Sequence, residues 1–509
     1  MTHFLKEPAK KESNGMAPKM CSPCATAKPA GTPLPSVWAA LSTAGWSIQT
    51  VRKSVAALLR PFDTSTGEGR SKERYRRAAL TTIASTTARG IGILTSLISV
   101  PLSLKYLGSE RFGLWMTIVS LALLVQFADF GMGNGLLNAI SEANGKQDPE
   151  GARRYVTSGF FMLLGIAICL AGVFALAYRL IPWPRVFNVS SAVAAHEAGP
   201  ATAVFAACIV LNLPLDTVQR VQMGYQEGFA TNLWQVVGSL IGLAGLLLVI
   251  HVQGGLPWLV AATSGGPLLA VLLNWITQFV WVRPWLFPKW AYYDTRAARR
   301  IMRTGLLFVI LQLAVAAAYA SDNIVLAQVL GSKAVTQYSV PMRMFTFLGT
   351  IAGFAFMPLW PAYGEAMARG DISWVVRTLV RSLRLTLLIC GIPAVCLVMF
   401  GRNIVHIWVG PLIQPSLFLL LGMGIWAVLG GLGSCLAMFL NGANILKFQV
   451  VCAVLMASVA LVLKIWLARQ WGGAGVIWGT VIAYTFCAAV PLAVYTPRLL
   501  ATLKRAQRA

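Results

Sequence analysis

Apolar runs of membrane-spanning length recur through most of this chain of 509 residues. Between residues 78 and 496 each run approaches the roughly 20 residues that a helix needs to cross a bilayer. The chain is 57% hydrophobic and only 12% charged, whereas about 25% of the residues of a soluble globular domain are charged. Because a helix satisfies its own backbone hydrogen bonds inside lipid, the pattern predicts an all-α polytopic membrane protein.

We expect about twelve transmembrane helices in two six-helix lobes. The predicted spans are 78–104, 112–136, 155–178, 200–222, 231–252, 256–281, 304–329, 334–360, 376–400, 413–440, 448–468 and 474–496.

The remaining segments are predominantly basic and indicate the orientation. They are a tail over 1–77 with a possible amphipathic helix at 36–60, a linker over 282–303 between lobes at 78–281 and 304–496, and a tail over 497–509. The connections on the side of the linker carry most of the Lys and Arg, and such loops remain in the cytoplasm. We therefore predict that both termini are cytoplasmic.

An internal repeat supports two lobes of the same orientation. A shift of 223 residues without a gap aligns Leu107, Gly108 and Ser109 with Leu330, Gly331 and Ser332, Ala139 with Ala362, Glu142 and Ala143 with Glu365 and Ala366, Lys146 with Arg369, and Asp148 with Asp371. Each lobe has an even number of spans, so an axis along the membrane normal would relate the lobes.

Two arginines lie near the middle of predicted spans. Arg89 is about 16 Å into the first span and Arg343 about 13 Å into the eighth, at the helical rise per residue. Ionisable groups at that depth are expensive and commonly functional. We expect both to face a cavity between the lobes and to attract an anionic group, for which the planar guanidinium suits phosphate. A structural arginine bonded to helix carbonyls is the alternative for each.

Carboxylates within the spans are candidates for proton or sodium coupling, or for pairing with the arginines. They are Asp129, followed by Gly131, Gly133 and Gly135, which allow close helix approach or a local break, and Asp322. By contrast, Lys464 lies near the outer end of its span, so we expect it to snorkel to the surface.

Four further charged residues lie near the inner ends of spans. Asp216 and Arg220 are four residues apart and can pair on one helical face, which favours a structural role. Glu142 and Glu365 occupy equivalent positions of the repeat, so they indicate either an inner gate or two solvated helix ends.

Several function classes are disfavoured. The formal net charge of +25 would suggest nucleic acid for a soluble protein, but in a membrane protein the positive-inside rule explains it. No GxxxxGK[ST] motif and no catalytic constellation is present. We therefore predict a transporter rather than an enzyme, with no cofactor, no metal site and no nucleic-acid partner.

The chain resembles a known family in its first two spans. The segments that carry the resemblance are SVPL at 99–102, YLGSERFGLW at 106–115, ADFGMG at 128–133 and NGKQD at 144–148. They are similar to the start of the polysaccharide-biosynthesis (O-antigen, Wzx-type) flippases of the MOP superfamily, which also holds MATE drug exporters. The resemblance implies a V-shaped pair of lobes around a central cavity. The long tail before the first span departs from the family pattern.

The resemblance also implies a function. We expect a flippase that moves a polyprenyl-pyrophosphate-linked oligosaccharide from the cytoplasmic to the periplasmic leaflet of the bacterial inner membrane by alternating access. Its partners would be this lipid-linked substrate, membrane lipid, a coupling proton or sodium ion, and polysaccharide polymerase and export proteins. An ion-coupled MATE-type multidrug exporter and a membrane-embedded polysaccharide polymerase or glycosyltransferase stay open as alternatives.

Overall fold

The computed structural model describes residues 61–508, apart from 121–127, Asn188, Ser190 and 410–412. The possible amphipathic helix at 36–60 lies outside the described residues. Seventeen α-helices are described: α1 Gly67–Ser120, α2 Met132–Lys146, α3 Pro149–Tyr178, α4 Trp183–Val186, α5 Ala192–Leu215, α6 Thr217–Gly224, α7 Gly228–His251, α8 Leu256–Ile276, α9 Thr295–Leu330, α10 Ser332–Phe356, α11 Leu359–Ala368, α12 Ile372–Thr386, α13 Ile392–Val409, α14 Leu417–Gly442, α15 Leu446–Trp471, α16 Gly473–Tyr484 and α17 Val490–Arg508.

The predicted all-α polytopic fold is confirmed. Eleven described helices are long and apolar enough to cross a membrane. The predicted second span, 112–136, passes through 121–127 and so lies partly outside the described residues. Helix α1 begins at Gly67, before the predicted start at 78, because a charged first segment extends the same helix beyond its apolar part.

The sequence repeat is visible in the backbone. Gly108 has φ 75° and ψ 171°, and its counterpart Gly331 has φ 84° and ψ 170°. Such positive φ values favour glycine. At the end of α2, Gln147 has φ 55°, and its counterpart Gly370 after α11 has φ 78°. Residues with positive φ therefore occur at two pairs of equivalent positions in the repeat.

Helices α1 to α8 form the first lobe and helices α9 to α17 form the second. In the first, α7 packs on α1 and α8, and α5 packs on α3 and α8; in the second, α9 packs on α15, and α14 packs on α10 and α11. Contacts between lobes are concentrated on α2, which packs against α9 and α11. We call this end of the bundle, where the Arg283–Arg303 segment also lies, the basic end.

Glycines make the packing of α2 on α9 close. A Cβ added at Gly305 would lie 2.9 Å from the backbone carbon of Gly131, and one added at Gly135 would lie 2.6 Å from the carbonyl oxygen of Ile301. These distances are well below van der Waals contact, so only glycine permits this approach. Gly131 and Gly135, two of the three glycines for which the sequence predicted close approach or a local break, thus lie where α2 approaches α9 most closely.

Candidate transport cavity and gate

A cavity of about 200 Å³ lies on the boundary between the lobes. The first lobe contributes residues of α1, α6 and α7, and the second contributes the end of α10 and the start of α11. The lining residues are Arg77, Ala78, Thr81, Ser85, Arg89, Gln219, Met223, Gln226, Gly228, Thr231, Asn232, Gln235, Phe354, Met357, Pro358 and Pro361. The first lobe therefore presents a mostly polar wall and the second an apolar wall.

Helix α1 supplies the cationic side of this cavity. Arg77, Thr81, Ser85 and Arg89 all line it at intervals of four residues, which places them on one helical face. The stripe extends over about 18 Å of the helix axis. Thr81 and Ser85 are thus polar residues of this span that face the cavity.

Arg89 reaches across the lobe boundary. Its guanidinium carbon lies 3.4 Å from the centroid of the Phe354 ring, a cation–π contact that links α1 to α10. Among the described residues Arg89 forms no ion pair. Its charge is therefore available to an anionic ligand in the cavity.

The expectation that Arg343 shares this cavity is not met in this conformation. Arg343 is exposed in a separate, largely apolar groove between α10 and α13, with Phe347, Pro393 and Cys396. Phe354 follows it by eleven residues, about three helical turns, so both lie on nearly the same side of α10. Arg343 nevertheless lies about 16 Å along the helix from Phe354, where the neighbouring residues belong to α13 and not to α1.

A buried ion-pair cluster joins the lobes at the basic end of the cavity. Arg74 of α1 contacts Glu365 of α11 at 2.5 Å and Asp371 at 2.7 Å. Arg74 and Glu365 are only 4% and 6% exposed. Arg369, one turn after Glu365, forms a second ion pair with it. The role of Arg74 is not visible in the sequence, because its partner Glu365 is distant in the chain. The basic residues around Arg74 indicate only a segment that orients the protein in the membrane.

The repeat produces a reciprocal pair. Glu142 of α2, the counterpart of Glu365, forms an ion pair with Arg300 of α9 and a second with Lys146 at 2.7 Å. Arg300 also donates a 2.6 Å hydrogen bond to the Tyr155 hydroxyl. Each lobe thus receives an arginine from the first long helix of the other. Burial would raise the pKa of Glu142, but Lys146 and Arg300 outweigh it and lower that pKa.

Neutral hydrogen bonds complete the closure of the basic end. The Trp360 indole donates to the Asn138 side-chain oxygen at 2.7 Å, and the Asn138 amide donates to the Asn441 carbonyl at 2.9 Å. Asn138 lies on α2, whereas its two partners belong to the second lobe. Because these groups are buried, separating the lobes here requires that each finds another partner.

Asp129 stabilises the turn that leads into α2. Phe130 and Gly131 both have positive φ, and the Asp129 carboxylate accepts hydrogen bonds from the Gly131 and Gly133 amides at 2.8 and 3.1 Å. Beyond Gly133, Arg220 and Asp216 form an ion pair at 2.9 Å. A Cβ at Gly133 would meet both Arg220 and Asp129, so these charges form one cluster around that glycine. None of the three carboxylate or guanidinium groups lines the cavity.

Asp322 belongs to a buried network inside the second lobe. Its carboxylate pairs with Lys464 at 2.5 Å and accepts a 2.7 Å hydrogen bond from the Tyr338 hydroxyl. Lys464 is fully buried and also donates to the Ser321 hydroxyl at 3.2 Å. The expectation that Lys464 snorkels to the surface is therefore wrong, because the carboxylate of α9 offers it a charged partner at depth.

The chain matches a known protein family. Residues 80–367 match the model of the family described as polysaccharide biosynthesis protein. The chain belongs to this family. The matched region contains Arg89, the linker, Glu142 and Glu365, and most of the residues that line the cavity.

Curated relatives are distant in sequence. The chain is 22% identical over 396 residues to a putative O-antigen transporter of Salmonella typhimurium, with 76% of this chain and 89% of that protein aligned. It is also 22% identical over 345 residues to the uncharacterized membrane protein EpsK of Bacillus subtilis, with 66% of each protein aligned.

Solved structures define the fold of this family member. A MATE structure in the bent conformation superposes with a TM-score of 0.69 at 16% identity and covers 90% of this chain and 99% of that chain. A MOP superfamily transporter from Pyrococcus furiosus, described as having a binding pocket of reverse polarity, gives 0.68 at 16% identity, with 84% and 96% covered. The chain therefore has the all-α fold of these structures, as predicted.

Proposed function

We propose that this protein is a flippase for a polyprenyl-pyrophosphate-linked oligosaccharide, moved from the cytoplasmic to the periplasmic leaflet by alternating access. The observation that carries the proposal is the cavity on the lobe boundary. Its described lining includes Arg77 and Arg89, several neutral hydrogen-bonding side chains and no carboxylate. A guanidinium binds phosphate oxygens through two parallel hydrogen bonds, so this lining suits an anionic substrate with attached sugars.

In this proposal the basic end is cytoplasmic and Glu142 and Glu365 close it. Their partners, Arg300 and Arg74, come from opposite lobes, so both ion pairs must break before the cavity can open to the cytoplasm. The Asp216–Arg220 pair lies within the first lobe and has a structural role. Arg343 joins the substrate path only when the second lobe rotates.

The coupling role is assigned to Asp322. The Asp129 carboxylate accepts hydrogen bonds from backbone amides at the start of α2, whereas Asp322 forms a buried pair with Lys464. A proton delivered to Asp322 would remove the counterion of a buried ammonium, which is costly. Protonation would therefore be tied to a rearrangement of α9 and α15.

The test is deletion of the gene in its host, followed by complementation with the wild type or with Arg89→Ala. If the proposal holds, the Arg89→Ala strain lacks surface polysaccharide and accumulates lipid-linked repeat units on the cytoplasmic side. Arg179→Ala, an exposed arginine outside the cavity, is the matched control and restores export. Normal export by Arg89→Ala at normal protein level would remove the phosphate-binding role.

The same strains separate the alternatives. A multidrug exporter would leave polysaccharide unchanged on deletion and increase sensitivity to cationic dyes. A polymerase would leave single repeat units in the periplasm with no long chains. The cationic lining of the cavity disfavours the exporter, since cationic drugs would meet like charges.

A further inference from the structure

A second basic cavity lies at the basic end, outside the transport cavity. It is a groove of about 770 Å³ between the first turns of α9, the start of α15 and part of α17. The lining residues are Arg296, Arg299, Arg300, Arg303, Thr304, Leu307, Asn444, Ile445, Leu446, Lys447, Phe448 and Tyr495. We call it the basic groove. It has five cationic side chains, and none of its described lining residues is acidic.

The positions of these cations are unfavourable for the helices that carry them. Arg296, Arg299, Arg300 and Arg303 follow the start of α9 at Thr295, and Lys447 is the second residue of α15. A helix N-terminus has a partial positive charge, so cations near it destabilise the helix. Like charges three or four residues apart add further repulsion.

Most of this charge is uncompensated. Arg299, Arg303 and Lys447 are exposed and have no ion-pair partner among the residues that the structure describes. The first turn of α15 adds backbone donors, since its N-cap residue, Ile445, provides no side-chain cap. Topogenic charge requires only that cations lie on the cytoplasmic side. That requirement does not explain why cations from the starts of two helices line the same cavity.

The wall of the groove is apolar and aromatic. Phe448 and Tyr495 stack with their ring centroids 4.3 Å apart, and Leu307 lies on the α9 side. Tyrosine is enriched at the membrane–water boundary, where its ring is apolar and its hydroxyl is solvated. A groove with cations beside an aromatic wall at this level matches a lipid headgroup better than a free soluble ion.

One residue connects the groove to the gate. Arg300 lines the groove and also forms the interlobe ion pair with Glu142. The Arg300 side chain is 40% exposed, whereas Arg74 in the reciprocal pair is 4% exposed. A phosphate in the groove can therefore reach Arg300, but it cannot reach Arg74 in the same way.

We propose that the basic groove binds the phosphate of a lipid headgroup in the adjoining leaflet, and that this phosphate competes with Glu142 for Arg300. A bound headgroup then weakens one of the two interlobe ion pairs and favours opening of the basic end. The headgroup can belong to an anionic phospholipid or to a polyprenyl diphosphate, since both present phosphate oxygens next to an apolar chain.

Binding is tested by native mass spectrometry of the full-length protein. The probes are phosphatidylglycerol, phosphatidylcholine, undecaprenyl diphosphate, undecaprenol and inorganic pyrophosphate. The groove variant carries Arg299→Gln with Arg303→Gln. The control variant carries Arg377→Gln with Arg381→Gln, exposed arginines of α12 that have the same spacing and do not line the groove.

Phosphatidylglycerol should bind the wild type more tightly than phosphatidylcholine, which has no net charge, or undecaprenyl diphosphate should bind more tightly than undecaprenol, or both. The groove variant should lose roughly tenfold in affinity for whichever lipid binds, while the control variant stays near the wild type. Equal loss in both variants would show a general charge effect and overturn the site. Equal affinity for inorganic pyrophosphate would overturn the assignment to a lipid.

Competition for Arg300 is measured separately, by the distance between spin labels placed at Glu150 and Ser373 in nanodiscs. Adding the lipid that binds should increase the population with separated lobes in the wild type and leave the groove variant unchanged. Glu142→Gln should show the increase without added lipid. If the lipid binds but the distance distribution of the wild type does not change, the competition is refuted.

Discussion

The two interlobe ion pairs should differ in strength, because one is buried and the other is half exposed. Arg74 and Glu365 are 4% and 6% exposed, whereas Arg300 and Glu142 are 40% and 28% exposed. Removing one partner of a buried pair costs about 3–5 kcal/mol. A solvent-accessible pair contributes only about 0–1 kcal/mol because water and salt screen it.

The loss of either ion pair raises the free energy of the conformation that is closed at the basic end. Arg74→Gln should therefore shift the balance between closed and open conformations by on the order of a hundredfold, taking the lower limit of 3 kcal/mol and 1.4 kcal/mol per tenfold. Arg300→Gln should shift it by about fivefold or less. Both changes remove one positive charge, so net charge cannot explain a difference.

The assay is pulsed electron spin resonance on labels at Glu150 and Ser373, which are exposed on the first and second lobes. The labels are attached through bioorthogonal amino acids, so the native cysteines stay in place. Arg377→Gln is the control for loss of an exposed arginine. If the folded Arg74→Gln protein has the same distance distribution as the wild type, or if Arg300→Gln has the larger effect, the burial argument is refuted.

Three further predictions concern packing, buried charge and pH. Gly305→Ala places a Cβ 2.9 Å from the Gly131 backbone, so we expect it to destabilise the closed conformation by about 1–3 kcal/mol. The same spin-label distance measures this effect. An unchanged distance distribution would contradict the close-packing argument. Asp322→Asn leaves Lys464 buried without a counterion and should lower the stability of the folded protein by about 3–5 kcal/mol. Adding Lys464→Met should recover a large part of that stability, as measured by thermal unfolding. Failure to recover it would show that the two residues act independently. Because the pKa of Glu142 is lowered in the folded protein, its contribution to stability should be constant near neutral pH and should decline as the pH falls below the ordinary glutamate pKa of about 4.3. Thermal unfolding of the wild type and of Glu142→Gln, followed against pH, measures this contribution. Parallel curves for the two proteins would contradict the prediction.

The sequence singled out the carboxylates Glu142 and Glu365 but not their partners. Glu142 and Glu365 were found because they recur at equivalent positions of a repeat, and a repeat is visible in one dimension. Arg74 and Arg300 come from opposite lobes, at sequence separations of 291 and 158 residues from those carboxylates. Only the packing of the lobes decides which arginine each carboxylate meets.

The arginines illustrate the same difference. The depth of Arg89 and Arg343 in their spans follows from counting residues, but the direction of each side chain depends on helix rotation and curvature. The structure places Arg89 at the lobe boundary and Arg343 in a groove within the second lobe. Lys464 was misjudged because snorkelling is the rule for an isolated lysine, and its buried partner on α9 was not visible in the chain.

The sequence by itself therefore determined the fold class and contained an internal repeat. The fold class follows from apolar run length, which the bilayer dictates, and the repeat follows from residues that recur at a shift of 223. The tertiary structure alone decided which charges are buried, which lobe supplies the arginine that pairs with each of Glu142 and Glu365, and which side chains face the cavity. Those properties depend on distances between helices that are far apart in the chain.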